Sequence, residues 1–291
     1  MKRLETIIDK LQRKSLDGET TNATCVTNMN DIGGCRAIFP NLESLKKVKE
    51  RLQVTVEKAD RVKIKDIDDY ITNPKPNDCG YRCLHVIYRY DHASGKSFNI
   101  EVQLRTRLQH LWATTVEIVD ILEGTKIKTH SHSPTEDKEK LQIQWEELLS
   151  IMSRYIADAE GVIALSNDNK VQFSNRLIEL NGEINALSRL KSFKILSEKV
   201  KGCRDDSIEH VLLIINETSL EMIFSAEFED YTPAISMYNT AEKMAHSYEG
   251  LNTLLISTKN MGQLSEAYPN YLGDCASFIA LLEEAMQFGQ Y

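Results

Sequence analysis

The chain has 291 residues, of which 42% are hydrophobic and 27% charged, and a formal net charge of −8. That length and apolar share suit one large or two ordinary globular domains, and 13 glycines with 6 prolines exclude low-complexity and fibrous classes. The longest apolar runs, such as Val211–Ile215, fall far short of the roughly 20 residues of a membrane-spanning helix. The first residues lack the apolar core of a secretory signal, so the expectation is a soluble, cytoplasmic protein with no membrane partner.

Six cysteines contain no CxxC pair, and neither Cys79/Cys83 nor His130/His132 has a partner pair at metal-site spacing. Reduced thiols and no structural metal follow. Residues 1–150 carry 24 Lys+Arg against 23 Asp+Glu, the remainder 11 against 20. An acidic second half is poorly suited to a polyanion, which assigns any such substrate to the first half.

In chain order, Leu4, Ile7, Ile8 and Leu11 recur at helical spacing over residues 2–14. A strand is expected around Ala37–Phe39, after Gly33-Gly34. Asn41 opens a helix striped by Leu42, Leu45, Val48 and Leu52. Val62–Asp68 reads as an alternating, half-buried strand, and Asn73–Asp78 as a turn-rich loop. Strands at Leu84–Tyr90 and Phe98–Leu104 flank a hairpin turn, and a helix is expected from about Arg107 to Leu122. Residues 129–138 read as a linker. The zone from about 138 to 200 is helical, with a break expected near Asn167–Asn169 and an apolar stripe of Leu141, Trp145, Leu148, Leu149 and Met152. Beyond it, strands near 211–215, 221–227 and 251–256 alternate with helices near 234–246 and 274–287. The organisation expected is residues 1–130, a helical region over 138–202, and a small α/β domain over 205–291 with a regulatory or interaction role.

Three segments carry chemistry-bearing side chains. Asp31-Ile32-Gly33-Gly34-Cys35-Arg36 sets a carboxylate and an arginine around two glycines. Such a turn can hold a metal and admit a phosphate, or simply be an Asp-stabilised turn. Pro74–His85 places Lys75, Arg82 and His85 about Tyr81, types that bind phosphates and stack on a base; a surface loop with a capping tyrosine is the alternative. On the strand Glu101–Thr106, the side chains of Glu101, Gln103 and Arg105 share one face. In a covered central strand that polar face lines a site. His110 follows on the next helix.

Taken together these segments resemble the RelA/SpoT synthetase domain of the alarmone pyrophosphokinases. The resemblance covers about residues 1–128 and runs in order through Lys2-Arg3…Lys10-Leu11, Asp31…Arg36, Asp69-Tyr70-Ile71…Pro74-Lys75…Gly80-Tyr81-Arg82…His85, Glu101–Thr106 and Gln109–Ala113. It implies an α+β, nucleotidyltransferase-like mixed sheet flanked by helices. It also implies Mg²⁺-dependent transfer of the β,γ-pyrophosphate of ATP to the ribose 3′-hydroxyl of GDP or GTP, without a hydrolase domain. Carried over by position, Asp31 and Glu101 would be catalytic and hold Mg²⁺, with Glu101 also activating the hydroxyl. Lys2 and Arg36 would meet ATP phosphates. Tyr81 would stack on guanine, Lys75 and His85 would line the acceptor pocket, Arg82 and His110 would also bind substrate, and Gln103 and Arg105 would shape the site from the sheet. Partners implied are the nucleotides, with a homo-oligomer or a neutralising protein as further possibilities.

The chain departs from the family pattern at three places. The sequence begins too late to contain the arginine usual two residues ahead of Lys2, Asp68 takes the place of a lysine before Asp69-Tyr70-Ile71, and Asn77-Asp78-Cys79-Gly80 is longer than the usual Asn-Gly step. An acid at Asp68 should repel a 5′-polyphosphate, which keeps open a relative that modifies the tRNA 3′ end. A catalytically silent nucleotide-binding module is the remaining alternative.

Overall fold

A computed structural model describes residues 29–74, 79–129, 136–202, 207–216, 219, 221–245, 251–267 and 269–288. The expected N-terminal helix and the linker core lie outside these residues. The described chain divides into two units: Met29–Pro74 with Tyr81–His110, and Cys79–Gly80 with the described residues from Leu111 onward. The helical segment and the small α/β segment, set apart in the sequence, therefore fall in one unit.

The first unit contains β1 (Gly33–Phe39), α1 (Leu42–Glu57), β2 (Val62–Asp69), β3 (Leu84–Asp91) and β4 (Ser97–Thr106). The sheet order is β1-β4-β3-β2. β1 runs parallel to β4, and the other pairings are antiparallel, so the sheet is mixed, as expected. β1 begins earlier than the sequence indicates, with Gly33 and Gly34 inside it. A Cβ on Gly34 would lie 2.3 Å from the Glu101 carbonyl oxygen, so the missing side chain is what lets the two strands close up.

β2 is not strictly alternating. A bulge between Ile64 and Asp66 inserts Lys65 and moves the apolar phase from even to odd positions. Ile64 and Ile67 thereby share one face with Val86, Val102 and Ile100, and α1 packs against the sheet. The opposite face takes Asp66, Asp68, His85, Glu101, Gln103 and, through register with β4, Arg36. Asn41 caps α1 by accepting from the Ser44 N–H at 2.9 Å. The hairpin forms at Asp91–Lys96, with Gly95 at φ +78°.

Helix α2 (Arg107–Glu123) leaves β4 directly, and its residues from Leu111 count with the second unit. There it is followed by α3 (Glu136–Ala159), α4 (Asn167–Ile184) and α5 (Ala186–Gly202). The helical zone has two breaks where the sequence reading has one. Ser166 caps α4, and Asn185, in the left-handed region at φ 51°, separates α4 from α5. Trp145, Leu148, Leu149 and Met152 are fully buried, and Trp112 Nε1 donates to the Leu149 carbonyl at 2.7 Å.

The smaller sheet is antiparallel, ordered β6-β5-β7, from β5 (His210–Asn216), β6 (Met222–Phe228) and β7 (Leu251–Ser257). Helix α6 (Tyr231–Ala245) packs against it. Two helices follow where one is expected, α7 (Thr258–Ala267) and α8 (Tyr271–Gln287). Ser174 Oγ reaches the Met286 carbonyl at 2.8 Å, tying α8 to α4. No helix among the described residues is long and apolar enough to cross a membrane.

Candidate active site

The polar face of the larger sheet gathers side chains from four segments. Glu101, Gln103 and Arg105 alternate along β4, as strand geometry requires. Gln103 is the hub: its Nε2 donates to Glu101 Oε1 at 2.6 Å, and its Oε1 accepts from Arg105 Nη2 at 3.3 Å and from Arg36 Nε at 3.4 Å. From β3, His85 sets Nδ1 3.5 Å from Glu101 Oε2, with both side chains under 15% exposed. Its Nε2 meets the Tyr81 hydroxyl at 2.8 Å, and Arg105 Nη2 donates to that same oxygen at 2.7 Å. The Arg105 guanidinium lies 5.1 Å from the Tyr81 ring centre, and Tyr70 packs edge-on against His85 at 5.2 Å.

The charges in this group sustain one another. Burial pushes Glu101 up, but His85 and Gln103 outweigh it and hold the carboxyl below its ordinary range, while Asp31 acts in the opposite sense. Burial pushes His85 down, yet Cys83 and Glu101 raise it to about 9. Burial also raises the Cys83 thiol, and His85 with Arg105 overcomes that and lowers it. Burial, aided by Cys83, keeps the Tyr81 phenol protonated against the pull of Arg105. His110 is the reverse case. Burial and then Arg36, Arg105 and Arg107 press it down to about 4, so it is neutral at physiological pH.

Asp31 stands in the loop just before β1. Its neighbour Asn30 anchors that loop by accepting from Lys65 Nζ at 3.0 Å and Asn99 Nδ2 at 3.1 Å. A carboxylate thus comes within electrostatic range of Glu101 beside an exposed arginine on β1 and a buried one on β4. An arrangement of two carboxylates, two guanidiniums and a shielded polar strand can bind a polyphosphate and accept a proton from a hydroxyl.

Residues 1–119 match the family described as the region found in RelA / SpoT proteins. The chain carries a RelA/SpoT region. Solved structures similar to it include small alarmone synthetase 2 from Bacillus subtilis, at 24% identity over 54% of this chain and 73% of that one, TM-score 0.36. Small alarmone synthetase 1 from the same organism, bound to its product pppGpp, shares 26% over 57% and 77%, TM-score 0.37. A GTP pyrophosphokinase family protein from Streptococcus pneumoniae shares 26% over 56% and 77%, TM-score 0.34. No curated protein matches the chain.

Within the RelA/SpoT region, Arg36, Tyr81, His85, Glu101, Gln103 and Arg105 come together in one hydrogen-bonded and ion-paired group. Arg82 does not join it. Its side chain is buried and donates from Nη1 to the Ile71 carbonyl, fastening the turn after β2. Lys2 and Lys75 lie outside the described residues. Two members of the group had no assigned role in the sequence. Tyr70 carries a signal, as the aromatic of Asp69-Tyr70-Ile71. Cys83 carries only its parity, two residues from both Tyr81 and His85, which puts it on their face. Asp66 and Asp68, the latter registered opposite His85, bring two further carboxylates to this side of the sheet.

Proposed function

We propose that the protein is a pyrophosphokinase that moves the β,γ-pyrophosphate of ATP to the ribose 3′-hydroxyl of GDP or GTP, yielding (p)ppGpp. The observation that carries this reading is the Glu101–Gln103–Arg105 strand, which pairs a carboxylate with His85 and links it through Gln103 to Arg36 and Arg105 in a stretch similar to RelA/SpoT proteins. Pyrophosphoryl transfer depends on positioning and charge neutralisation more than on a strong nucleophile.

The donor set also fits Mg²⁺. This ion is commonly held by one or two carboxylates with substrate phosphates and water completing its shell. Asp31 and Glu101, which sense each other electrostatically, supply such a pair, and no cluster of three or more potential protein ligands occurs among the described residues. When bound, Mg²⁺ would neutralise donor phosphates and acidify the attacking hydroxyl. The protein's own part is as follows. Arg36 and Arg105 bind phosphate oxygens, and Gln103 fixes the Glu101 carboxylate. As the 3′-oxygen bonds to the β-phosphorus and the α–β bridging bond breaks, Glu101 takes the hydroxyl proton. AMP leaves with the bond's electron pair.

The test incubates the full chain with Mg²⁺ and γ-labelled ATP beside GDP, GTP, ATP or bulk tRNA and resolves the products. Label on a guanosine nucleotide with matching AMP release is expected, and Glu101→Gln should lower the rate by about 100-fold or more with an unchanged circular dichroism spectrum. Near wild-type turnover in Glu101→Gln would refute the role of that carboxylate. Asp68 favours one second reading, in which the acceptor lacks a 5′-polyphosphate, and label on tRNA alone would select it. No transfer to any acceptor would overturn both readings in favour of a silent nucleotide-binding module.

A further inference from the structure

The two edges of the smaller sheet are built differently. β7 alternates buried and half-buried residues. β6 exposes Met222, Ile223 and Phe224 at 47%, 56% and 37%, and β5 is its one neighbour in the sheet. Exposed edges are normally blunted by charge or proline, and Met222–Ala226 contains neither.

Successive strand residues ordinarily face opposite sides. In β6 a bulge interferes: Ile214 pairs with Phe224 and Ile215 with Met222, so Ile223 is the extra residue. Both Ile223 and Phe224 consequently line one groove of about 260 Å³, together with Ile214, Met237, Met244 and Leu251. Two flexible thioethers in that wall can adapt to the shape of an incoming side chain.

The surroundings of the groove are acidic. Glu221 stands at one end of β6 and Glu227, Glu229 and Asp230 at the other, with Glu242 on α6; Lys243 is the single cation between Glu221 and Ala245. Glu227 also pairs with Lys199 at 2.7 Å. A second copy of β6 laid antiparallel would bring one acidic end against the other, and like charges facing across strands destabilise pairing. An apolar strand with cations at both ends has the complementary pattern.

We infer that β6 takes an extended segment of another protein as a fourth strand, with an apolar side chain of that segment seated in the groove and Lys or Arg at both its ends. The inference does not depend on the reaction proposed above.

The experiment titrates the full chain against labelled short peptides and follows fluorescence anisotropy. One peptide has a Val/Leu centre with lysines at both ends, and the other has the same centre with glutamates. The lysine-ended peptide should bind at least about tenfold more tightly than the other, and its binding should weaken with added salt. Ile223→Lys should abolish it while leaving circular dichroism and Tm unchanged, since the side chain is mostly exposed. Met244→Glu, on the helix side of the groove, should weaken it without that change in strand charge. No binding, equal affinity for both peptides, or binding that survives Ile223→Lys would overturn the proposal. So would a concentration-dependent dimer that Ile223→Lys disperses, because the occupant would then be a second copy.

Discussion

Glu101 and His85 are individually expensive to bury and become tolerable as a pair. The two groups titrate on opposite sides of neutrality. Glu101 sits below its ordinary 4.5, so its share of stability is present above that pH and is lost as pH falls. His85 is raised from 6.5 to about 9, so its share is complete below 6.5 and is lost as pH rises through 9. Urea unfolding should accordingly show wild type exceeding His85→Gln by more at pH 6.5 than at pH 9.5. A gap that stays constant across that range would mean the ion pair contributes nothing to folding. The sequence already placed Glu101, Gln103 and Arg105 on one face, because period-two alternation needs no tertiary information. The inward course of Arg82 was not readable. It sits between Tyr81 and Cys83 on the opposite parity, but its partner, the Ile71 carbonyl, is set by how the turn after β2 folds back.

Strands β1 and β2 reached their final form through features that pattern reading smooths over. Gly34 illustrates this for β1. Glycine pairs usually mark turns, whereas Gly34 lies within a parallel ladder because the Glu101 backbone passes where its side chain would be. Gly34→Ala should cost about 2–3 kcal/mol and depress pyrophosphate transfer with it, since the displaced backbone is that of Glu101. Gly33→Ala meets nothing within 4 Å and should leave both properties near wild type. Equal urea midpoints for the two variants would remove the close approach as the reason for glycine at 34. In β2, the apolar residues at 62, 64 and 67 do not fit one alternation, and that irregularity is the trace of the bulge at Lys65. The bulge matters for the site because it turns Asp66 and Asp68 toward the polar face.

For the molecule as a whole, the sequence conveyed the four-stranded mixed sheet, the helical segment and the three-stranded sheet, but not that the last two group together. Those links are long-range, such as Ser174 to Met286 and Tyr155 to Ala285, and no local pattern encodes them. The ion pair of Glu123 with Arg189, at 2.6 Å with the carboxylate side chain 4% exposed, ties α2 to α5 in the same way. Arg189→Ala should destabilise the protein by about 3 kcal/mol by stranding a buried carboxylate, and Glu123→Leu/Arg189→Leu should recover most of that loss. Thermal unfolding of the three proteins decides it, and a double variant as unstable as the single one would argue against charge burial as the cause. The loop between β2 and β3 adds a constraint of another kind. Gly80, at φ +88° and tight against Ser153, accepts a hydrogen bond from that serine 73 residues downstream. Because the chain enters the second unit at Cys79–Gly80 and leaves it again before β3, no single cut in the gene yields the two units as separate pieces. Recombination that exchanged the residues after His110 for foreign sequence would have to supply a new seat for Gly80. Residues 29–110 on their own would therefore leave Gly80 without the serine that holds it.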